Sequence, residues 1–232
     1  MPRRSASSVR TGGVFEVAMK ALVLVDLQND FMPGGALAVP AGNAVVEVAN
    51  RLLPHFDLVV ATQDWHPPGH GSFASSHEGK NPGDIVDLNG LRQELWPDHC
   101  IQNGAGAACH RDLSRKPIDR VFHKGTNPSL DSYSAFFDNA HRGSTGLSEY
   151  LKENGVTAVY IMGLAIDYCV KFSVLDAVRL GLETYVVTDG CRGIDLNPGD
   201  IDKAWEEMHR AGVKLVEAEA LEHPAKSRGE DA

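Results

Sequence analysis

Four strongly apolar runs constrain the fold of this chain more than any other feature of its sequence. They are rich in β-branched residues and are continuous rather than alternating, as expected of parallel strands that helices cover on both faces. The runs span residues 20–26, 58–64, 158–163 and 183–189. Two weaker runs, at 120–124 and 213–216, predict two further strands.

Helical patterns lie between these runs. Apolar residues recur at helical spacing after Asn43, which can cap the helix, and this pattern ends at Pro54. Further helices are predicted at 147–153, from about 169 to 181, and from about 199 to 211. Because strand and helix alternate, we predict the α/β class, with a doubly wound, three-layer α/β/α fold around a mostly parallel six-stranded sheet.

This pattern predicts a single domain over residues 19–220. Residues 1–18 are expected to be a disordered leader, although their arginine and serine content also fits a transit peptide, and residues 221–232 are expected to be a polar tail. The stretch 65–116 shows no clear pattern and contains Trp, His and Pro. Loops longer than about 12 to 15 residues are usually functional or disordered, so we expect functional residues there.

Composition argues against several classes of partner. The chain has 22 basic and 31 acidic residues, for a formal net charge of −9, which disfavours nucleic acid. No apolar run approaches the roughly 20 residues that span a bilayer, which argues against a membrane partner. The four cysteines form no CxxC pair, which favours reduced thiols in the cytoplasm. We therefore expect a cytoplasmic protein that acts on a small molecule.

Reactive residues are expected where the predicted strands end. In an open parallel sheet, ligands bind outside the carboxyl ends of the strands. Asp26 and Lys124 close two of the strands, and Cys169 follows a third. A carboxylate, an amine and a thiol could therefore converge on one site. The residues also fit plainer interpretations, a strand-end ion pair for Asp26 with Lys124 and a small buried side chain for Cys169.

Cys169 is predicted on the turn that enters a helix. A helix N-terminus and a nearby lysine can lower a thiol pKa from about 8.5 to roughly 3.5–7.5. A thiolate at this position would be a nucleophile, with Asp26 as proton acceptor and Lys124 as electrostatic partner.

A metal site is predicted around Asp64 and His66. These residues are two apart in an extended segment, so their side chains point in the same direction. A carboxylate with an imidazole suits zinc, iron or manganese, although a solvated, hydrogen-bonded histidine is also compatible with the pattern. A further histidine is needed, and the candidates are His70, His77, His99, His110 and His123.

Several aromatic residues could line a pocket for a flat ring, or could simply form core. They are Phe31, Trp65, Trp96, Phe136 and Phe137.

Five segments resemble the nicotinamidase/pyrazinamidase family within the isochorismatase-like cysteine hydrolases. They are VDLQNDF, QDWHPPGHGSFASSH, LWPDHCIQN, VFHKGTNPSLDSYSAFFDN and IMGLAIDYCVKFSVLDA. They occur in the family's order, and the resemblance extends over about residues 20–216. The implied fold is the isochorismatase-like α/β fold.

The resemblance implies an amidohydrolase that converts nicotinamide to nicotinate and ammonia in NAD salvage, and that also accepts pyrazinamide. It implies Asp26 as general base, in a triad with Lys124 and Cys169 as the nucleophile that forms a thioester. It further implies a cis peptide bond between Leu164 and Ala165, with the Ala165 and Cys169 N–H groups forming an oxyanion hole.

The resemblance also implies one divalent metal ion, with zinc as the first choice and iron or manganese as alternatives. Its implied ligands are Asp64, His66 and His99. The implied substrate-binding residues are Phe31, Trp96 and Tyr133.

Two features depart from the family pattern. His70 and Ser72 stand near the position where some members have a fourth metal ligand, and Ile166 stands where many have Thr. The alternatives are another carboxamide or carbamoyl hydrolase of the same superfamily and a catalytically silent metal-binding scaffold. Isochorismatase activity itself is disfavoured because it needs no cysteine. A homo-oligomer is compatible with the sequence.

Overall fold

A computed structural model describes residues 19–223. The predictions for the leader at 1–18 and for the tail from 224 onward lie outside the described residues. The strands are β1 (Met19–Val25), β2 (Leu58–Asp64), β3 (Ile85–Leu88), β4 (Leu91–Glu94), β5 (Arg120–Lys124), β6 (Val156–Leu164), β7 (Glu183–Arg192) and β8 (Lys214–Val216). All six strands expected from the sequence are present. The single-domain boundary at residue 220 stays a prediction.

Six of the strands form one parallel sheet in the order β5-β2-β1-β6-β7-β8, and β3 pairs with β4 as a separate antiparallel hairpin. This strand order explains why the apolar runs in the sequence are continuous, because the central strands are covered on both faces. All seven residues of β2 are buried, as is β1 from Ala21 to Val25. The predicted doubly wound parallel sheet is therefore confirmed.

The helices are α1 (Ala44–Leu52), α2 (Leu147–Glu153), α3 (Lys171–Arg179), α4 (Asp200–Arg210) and α5 (Ala218–Glu222). Crossovers between parallel strands are right-handed, and the β1–β2 step runs across the sheet in the opposite direction from the β6–β7–β8 steps. Consequently α1, with α5 packed against it, covers one face of the sheet, and α3 and α4 cover the other. Among residues 19–223, no helix is both long and apolar enough to cross a bilayer.

The β3–β4 hairpin and α5 were not expected from the sequence. The hairpin lies inside the stretch interpreted as irregular, and it turns at Asn89 and Gly90, which both have positive φ angles. An Asn-Gly pair is the favoured turn for a two-residue hairpin, so the local signal was present in the sequence. The four-residue strands around it are too short for a clear alternation of polar and apolar residues.

The sheet order brings the carboxyl ends of four adjacent strands together. Asp64 at the end of β2 pairs with Lys124 at the end of β5. Val25 at the end of β1 pairs with Gly163 near the end of β6. The residues that follow β1 and β6 therefore lie beside the β2–β5 pair, at the rim where parallel sheets bind ligands.

Gly163 permits the close approach of β6 to β1. Its φ angle is +135°, and a Cβ atom on it would lie 2.1 Å from the Val25 carbonyl oxygen. Gly181 also has a positive φ, of +80°, but a Cβ atom there would meet nothing within 4 Å. Substitutions at these two glycines therefore distinguish the cost of an unfavourable backbone conformation, which both would have, from the cost of steric overlap, which only Gly163 would have.

We expect Gly163→Ala to lower the free energy of unfolding by about 3 kcal/mol or more, because the strand pairing must shift. Gly181→Ala should cost only about 1 kcal/mol, the penalty for a left-handed non-glycine residue. Urea denaturation of both variants measures the difference. Equal losses would contradict the proposed overlap.

Candidate active site and metal centre

The Lys124 ammonium group is the centre of the site. Its Nζ lies 2.9 Å from Asp26 Oδ2 and is also paired with Asp64 Oδ1. It donates to the Ser132 carbonyl oxygen at 3.1 Å and lies 3.3 Å from Cys169 Sγ. The Lys124 side chain has no exposed surface. The sequence-predicted acid and thiol, which follow β1 and β6, therefore both lie within hydrogen-bond range of the predicted amine at the end of β5.

The two carboxylates in this cluster differ in their affinity for protons. Burial raises the pKa of Asp26, and the attraction of Lys124 offsets only part of that effect. Burial acts in the same direction on Asp64, but Lys124 and His66 hold its pKa well below the usual value. Asp64 is therefore a fixed negative charge. Asp26 is the carboxylate that takes up a proton more readily, which is the property required of a base.

The prediction of a lowered thiol pKa is wrong. Burial raises the pKa of Cys169 well above its usual value; Lys124 opposes this effect, and Asp26 and Asp64 add to it. Cys169 lies in a π-helical turn, Ile166–Val170, that precedes α3. Within this turn the thiol is enclosed by protein and faces two carboxylates, so it is protonated at rest and needs a base to become a nucleophile.

Asp26 is held in an uncommon backbone conformation. Its φ angle is +54°, in the left-handed region. Thr62, on the neighbouring strand β2, donates from Oγ1 to Asp26 Oδ1 at 2.7 Å. Within the described residues, Asp26 Oδ2 accepts no well-directed hydrogen bond and faces the Lys124 ammonium. One carboxylate oxygen is thus anchored, and the other remains able to accept a proton.

Asp64, His66 and His99 form a candidate metal group, as the resemblance implied. The Nε2 atoms of His66 and His99 lie 3.8 and 3.7 Å from Asp64 Oδ2. Each Nδ1 faces a backbone carbonyl, of Gly125 at 2.9 Å for His66 and of Pro97 at 2.8 Å for His99. A carbonyl only accepts, so both Nδ1 atoms carry hydrogen, and each Nε2 is the ring nitrogen on the side of the carboxylate that a cation could bind. This is how histidine ligands are oriented in metal sites.

The charge of the cluster also fits a cation. Asp26 and Asp64 bring two carboxylates, whereas Lys124 brings one ammonium, and all three side chains are almost fully buried. Buried charge is costly unless it is compensated. A divalent ion on the free side of Asp64 would provide that compensation.

His70, a candidate from the sequence for the third or fourth ligand, is occupied elsewhere. Its Nε2 lies 2.7 Å from the Asn127 carbonyl oxygen, and its Nδ1 lies 2.7 Å from the Ser72 hydroxyl oxygen. Since the carbonyl can only accept, Nε2 donates to it and Nδ1 accepts from Ser72. Both ring nitrogens are thus engaged, and neither is available to an ion at Asp64.

Sequence reasoning missed the residues that hold Asp64 in place. The buried Gln28 amide donates to the Asp64 carbonyl oxygen at 2.8 Å and accepts from the Asp64 N–H at 2.8 Å. Gly125 has a φ angle of +65°, and a Cβ atom there would lie 2.4 Å from the His66 ring. The available signals were a glutamine two residues after the apolar run at 20–26 and a glycine directly after Lys124.

A small, mostly apolar cavity opens beside the thiol. The three residues expected to bind substrate, Phe31, Trp96 and Tyr133, all border it. Three other aromatic candidates do not, since Phe136 is buried core, Trp65 stacks on His123, and Phe137 lies outside the lining. Four further residues border the cavity without having been expected to do so: Leu37, Asp131, Tyr168 and Ile194.

The peptide bond between Leu164 and Ala165 is cis, as predicted. Ala165 and Cys169 both border the cavity. The N–H groups of Tyr168 and Val170 donate to the Ala165 carbonyl oxygen at 3.1 and 3.0 Å. These two bonds fold the turn so that Ala165 and Cys169 lie on the same side of the cavity.

Comparison with known proteins assigns the chain to a family. The sequence profile of the isochorismatase domain matches residues 20–220. The nicotinamidase of Escherichia coli is 54% identical over 200 residues, which cover 84% of this chain and 93% of that protein. The chain belongs to the nicotinamidase/pyrazinamidase family. Family membership confirms the predicted isochorismatase-like fold and the predicted class of enzyme, an amidohydrolase.

Solved structures of family members agree with the fold. An Acinetobacter baumanii nicotinamidase/pyrazinamidase has 44% identity and a TM-score of 0.85, covering 89% of this chain and 99% of its own. A yeast nicotinamidase bound to the inhibitor nicotinaldehyde has 33% identity and a TM-score of 0.80, covering 86% and 100%. A pyrazinamidase of Pyrococcus horikoshii in complex with zinc has 38% identity and a TM-score of 0.69, covering 85% and 98%.

We expect Lys124→Ala to lower the free energy of unfolding by about 3 kcal/mol, because it leaves two carboxylates buried without their cation. The matched control is Lys214→Ala, which breaks the exposed pair of Lys214 with Glu183. Exposed pairs contribute little, so the control should change stability far less. Denaturant titration at neutral pH compares the two, and similar losses would contradict the dependence of the cluster on Lys124.

Proposed function

We propose that this chain hydrolyses nicotinamide to nicotinate and ammonia, with Asp26, Lys124 and Cys169 as its catalytic residues. The single observation that carries the proposal is the Lys124 ammonium in contact with both partners at the edge of a cavity for a flat ring. The same chemistry applies to pyrazinamide, which combines an aromatic ring nitrogen with a carboxamide.

Asp26 acts as the general base. Its Oδ2 takes the thiol proton while the Cys169 sulfur bonds to the carboxamide carbon and the carbonyl electron pair moves onto oxygen. Collapse of this adduct breaks the C–N bond, and Asp26 returns the proton to the departing ammonia. Water then adds to the thioester, giving a proton to Asp26. The second collapse releases nicotinate, and the proton returns to sulfur.

Lys124 positions the donor and the acceptor of this proton transfer. Its ammonium group contacts the acceptor oxygen of Asp26 and the donor sulfur of Cys169. As the sulfur loses its proton, the positive charge stabilises the thiolate, which burial alone disfavours. Asp64 keeps Lys124 charged, because Asp26 and Asp64 together raise the pKa of Lys124 well above its usual value even though burial acts to lower it.

The oxyanion is stabilised by the backbone N–H groups of Ala165 and Cys169. Both residues border the cavity beside the sulfur. One such donor is worth about 2.7–4 kcal/mol of transition-state stabilisation. Because this stabilisation comes from backbone, Ile166 in place of the threonine of many relatives leaves it unchanged. Phe31, Trp96 and Tyr133 hold the pyridine ring by their aromatic faces and edges.

Asp64, His66 and His99 would hold one divalent metal ion. The ion would supply a positive charge that attracts the pyridine nitrogen. Zinc suits a set of two imidazoles and one carboxylate, and iron and manganese accept the same donors. The zinc complex of the Pyrococcus horikoshii pyrazinamidase supports zinc as the first choice.

We also infer that the protein acts in the cytoplasm as a single domain over residues 19–220. Its product, a pyridine carboxylate, is consumed by the reactions that rebuild NAD.

We expect Cys169→Ala to reduce ammonia release from nicotinamide by about a thousandfold or more, because no other group can form the thioester. Cys109, a half-buried cysteine on a separate segment, provides the control. Cys109→Ala should retain most of the activity. An active Cys169→Ala enzyme would refute the nucleophile. Faster turnover of a non-aromatic amide than of nicotinamide by the wild type would instead favour another amidase of the superfamily.

We expect His99→Ala to lose the bound ion, because it removes one of three donors. His110→Ala, a histidine outside the group, is the control and should retain it. Elemental analysis of the purified proteins measures the ion, and ammonia release is measured with and without a chelator. Activity that survives complete removal of metal would contradict the role of the ion, and readdition of zinc, iron and manganese identifies the metal that restores it.

A further inference from the structure

The β3–β4 hairpin supplies side chains to the wall of the active-site cavity. The hairpin is separate from the main sheet. Gln93 on β4 donates from Nε2 to Asp131 Oδ2 at 3.1 Å and lies 3.2 Å from the Tyr133 hydroxyl oxygen. The next residue, Glu94, accepts a 2.7 Å hydrogen bond from the Tyr168 hydroxyl group. Two consecutive residues of one short strand therefore contact two aromatic residues of the cavity.

Trp96, Tyr133 and Tyr168 form one packed unit, here called the aromatic wall. The Tyr168 ring meets Trp96 edge-on, with centroids 4.9 Å apart, and meets Tyr133 with centroids 5.6 Å apart. Trp96 donates from Nε1 to the Tyr133 hydroxyl oxygen at 3.1 Å. All three rings border the cavity. Tyr168 therefore packs against both other rings of the wall.

Tyr168 connects the aromatic wall to the nucleophile. It directly precedes Cys169 on the π-helical turn. Burial and the Glu94 carboxylate raise the pKa of the Tyr168 hydroxyl group, so the group stays protonated and acts as the donor. A hydrogen bond to a carboxylate is roughly twice as strong as one between neutral groups. The hairpin is thus attached to the turn that carries the sulfur by a single charge-assisted bond.

We propose that the hydrogen bond from Tyr168 to Glu94 determines substrate specificity, because it fixes the aromatic wall at a width that admits one six-membered ring. The inference rests on the proposed hydrolysis of aromatic carboxamides. Without the bond, the hydroxyl end of the Tyr168 side chain loses its fixed partner, and its ring keeps edge contacts with Trp96 and Tyr133 that are worth about 0.5–1.5 kcal/mol each. Tyr168 is therefore a positioning residue, and Glu94 acts through it.

The hairpin has a second anchor, so loss of the bond leaves it folded. Leu88 at the end of β3 lies against Gly71, where a Cβ atom would be 2.7 Å from the leucine Cδ1. The backbone N–H of Trp96, two residues after β4, donates to the Ser72 carbonyl oxygen at 2.8 Å. The expected effect of breaking the bond is therefore confined to the aromatic wall.

The test compares nicotinamide with quinoline-3-carboxamide, which has the same carboxamide and ring nitrogen but a second fused ring. In Tyr168→Phe and Glu94→Ala, we expect the KM for nicotinamide to rise about fivefold with a smaller change in kcat. The ratio of kcat/KM for the larger amide to that for nicotinamide should also rise about fivefold. Glu94→Gln keeps an acceptor oxygen, so its ratio should stay within about twofold of the wild type.

Tyr185→Phe is the matched control. The Tyr185 hydroxyl group donates to Glu183 Oε1 at 2.8 Å near the amino end of β7, and Tyr185 does not border the cavity. Tyr185→Phe removes a hydroxyl group from a tyrosine–glutamate pair, as Tyr168→Phe does. The ratio of kcat/KM for the larger amide to that for nicotinamide should not change in this variant. An unchanged ratio in Tyr168→Phe and Glu94→Ala, or an equal change in Glu94→Gln, would overturn the proposal.

A double-mutant cycle separates this inference from the proposed function. The free energies of unfolding of Tyr168→Phe, Glu94→Ala and the double variant give the coupling between the two side chains without any assay of activity. A positive coupling is expected, and additive losses would show that the bond is not made. Absence of nicotinamide turnover by the wild type would refute the proposed function, whatever the coupling.

Discussion

One buried ammonium group holds this site together. Lys124 lies between two carboxylates and a thiol with no exposed surface of its own, an arrangement that is stable only if every charge has a partner. Lys124 lowers the pKa of both Asp26 and Asp64, but His66 and His99 add to this effect only at Asp64, so that one carboxylate is a base and the other a fixed charge. Both the catalytic proposal and the metal site follow from this division.

The parallel sheet supplies the geometry that the cluster needs. Four adjacent strands end at one rim, and each contributes a side chain or the turn that follows it. Supporting residues then orient the reacting groups, with Thr62 on Asp26, Gln28 on Asp64, and backbone carbonyls on the two histidines. The cavity beside the cluster is closed by aromatic rings whose polar ends are bonded to the β3–β4 hairpin. The chemistry and the choice of substrate thus depend on different elements.

The successes and failures of sequence reasoning have physical causes. Long apolar runs identified the strands, because complete burial demands a continuous pattern. The hairpin was missed because its strands are only four residues each. The Cys169 pKa was predicted in the wrong direction because its sign depends on burial and on two carboxylates from other strands. Similarly, nothing local indicated that His99 rather than His70 faces Asp64, since the engagement of His70 with Asn127 and Ser72 appears only in the folded chain.

The sequence by itself determined the α/β class, the strands and helices of the main sheet, and the family to which the chain belongs. It also determined which residue types stand at the strand ends, because the apolar runs and the order of the motifs are properties of the linear sequence. Only the tertiary structure decided which of these residues meet, which histidine points inward, and what the protonation state of the thiol is. Those outcomes depend on distances between segments far apart in sequence and on the loss of water around charges, which no local pattern encodes.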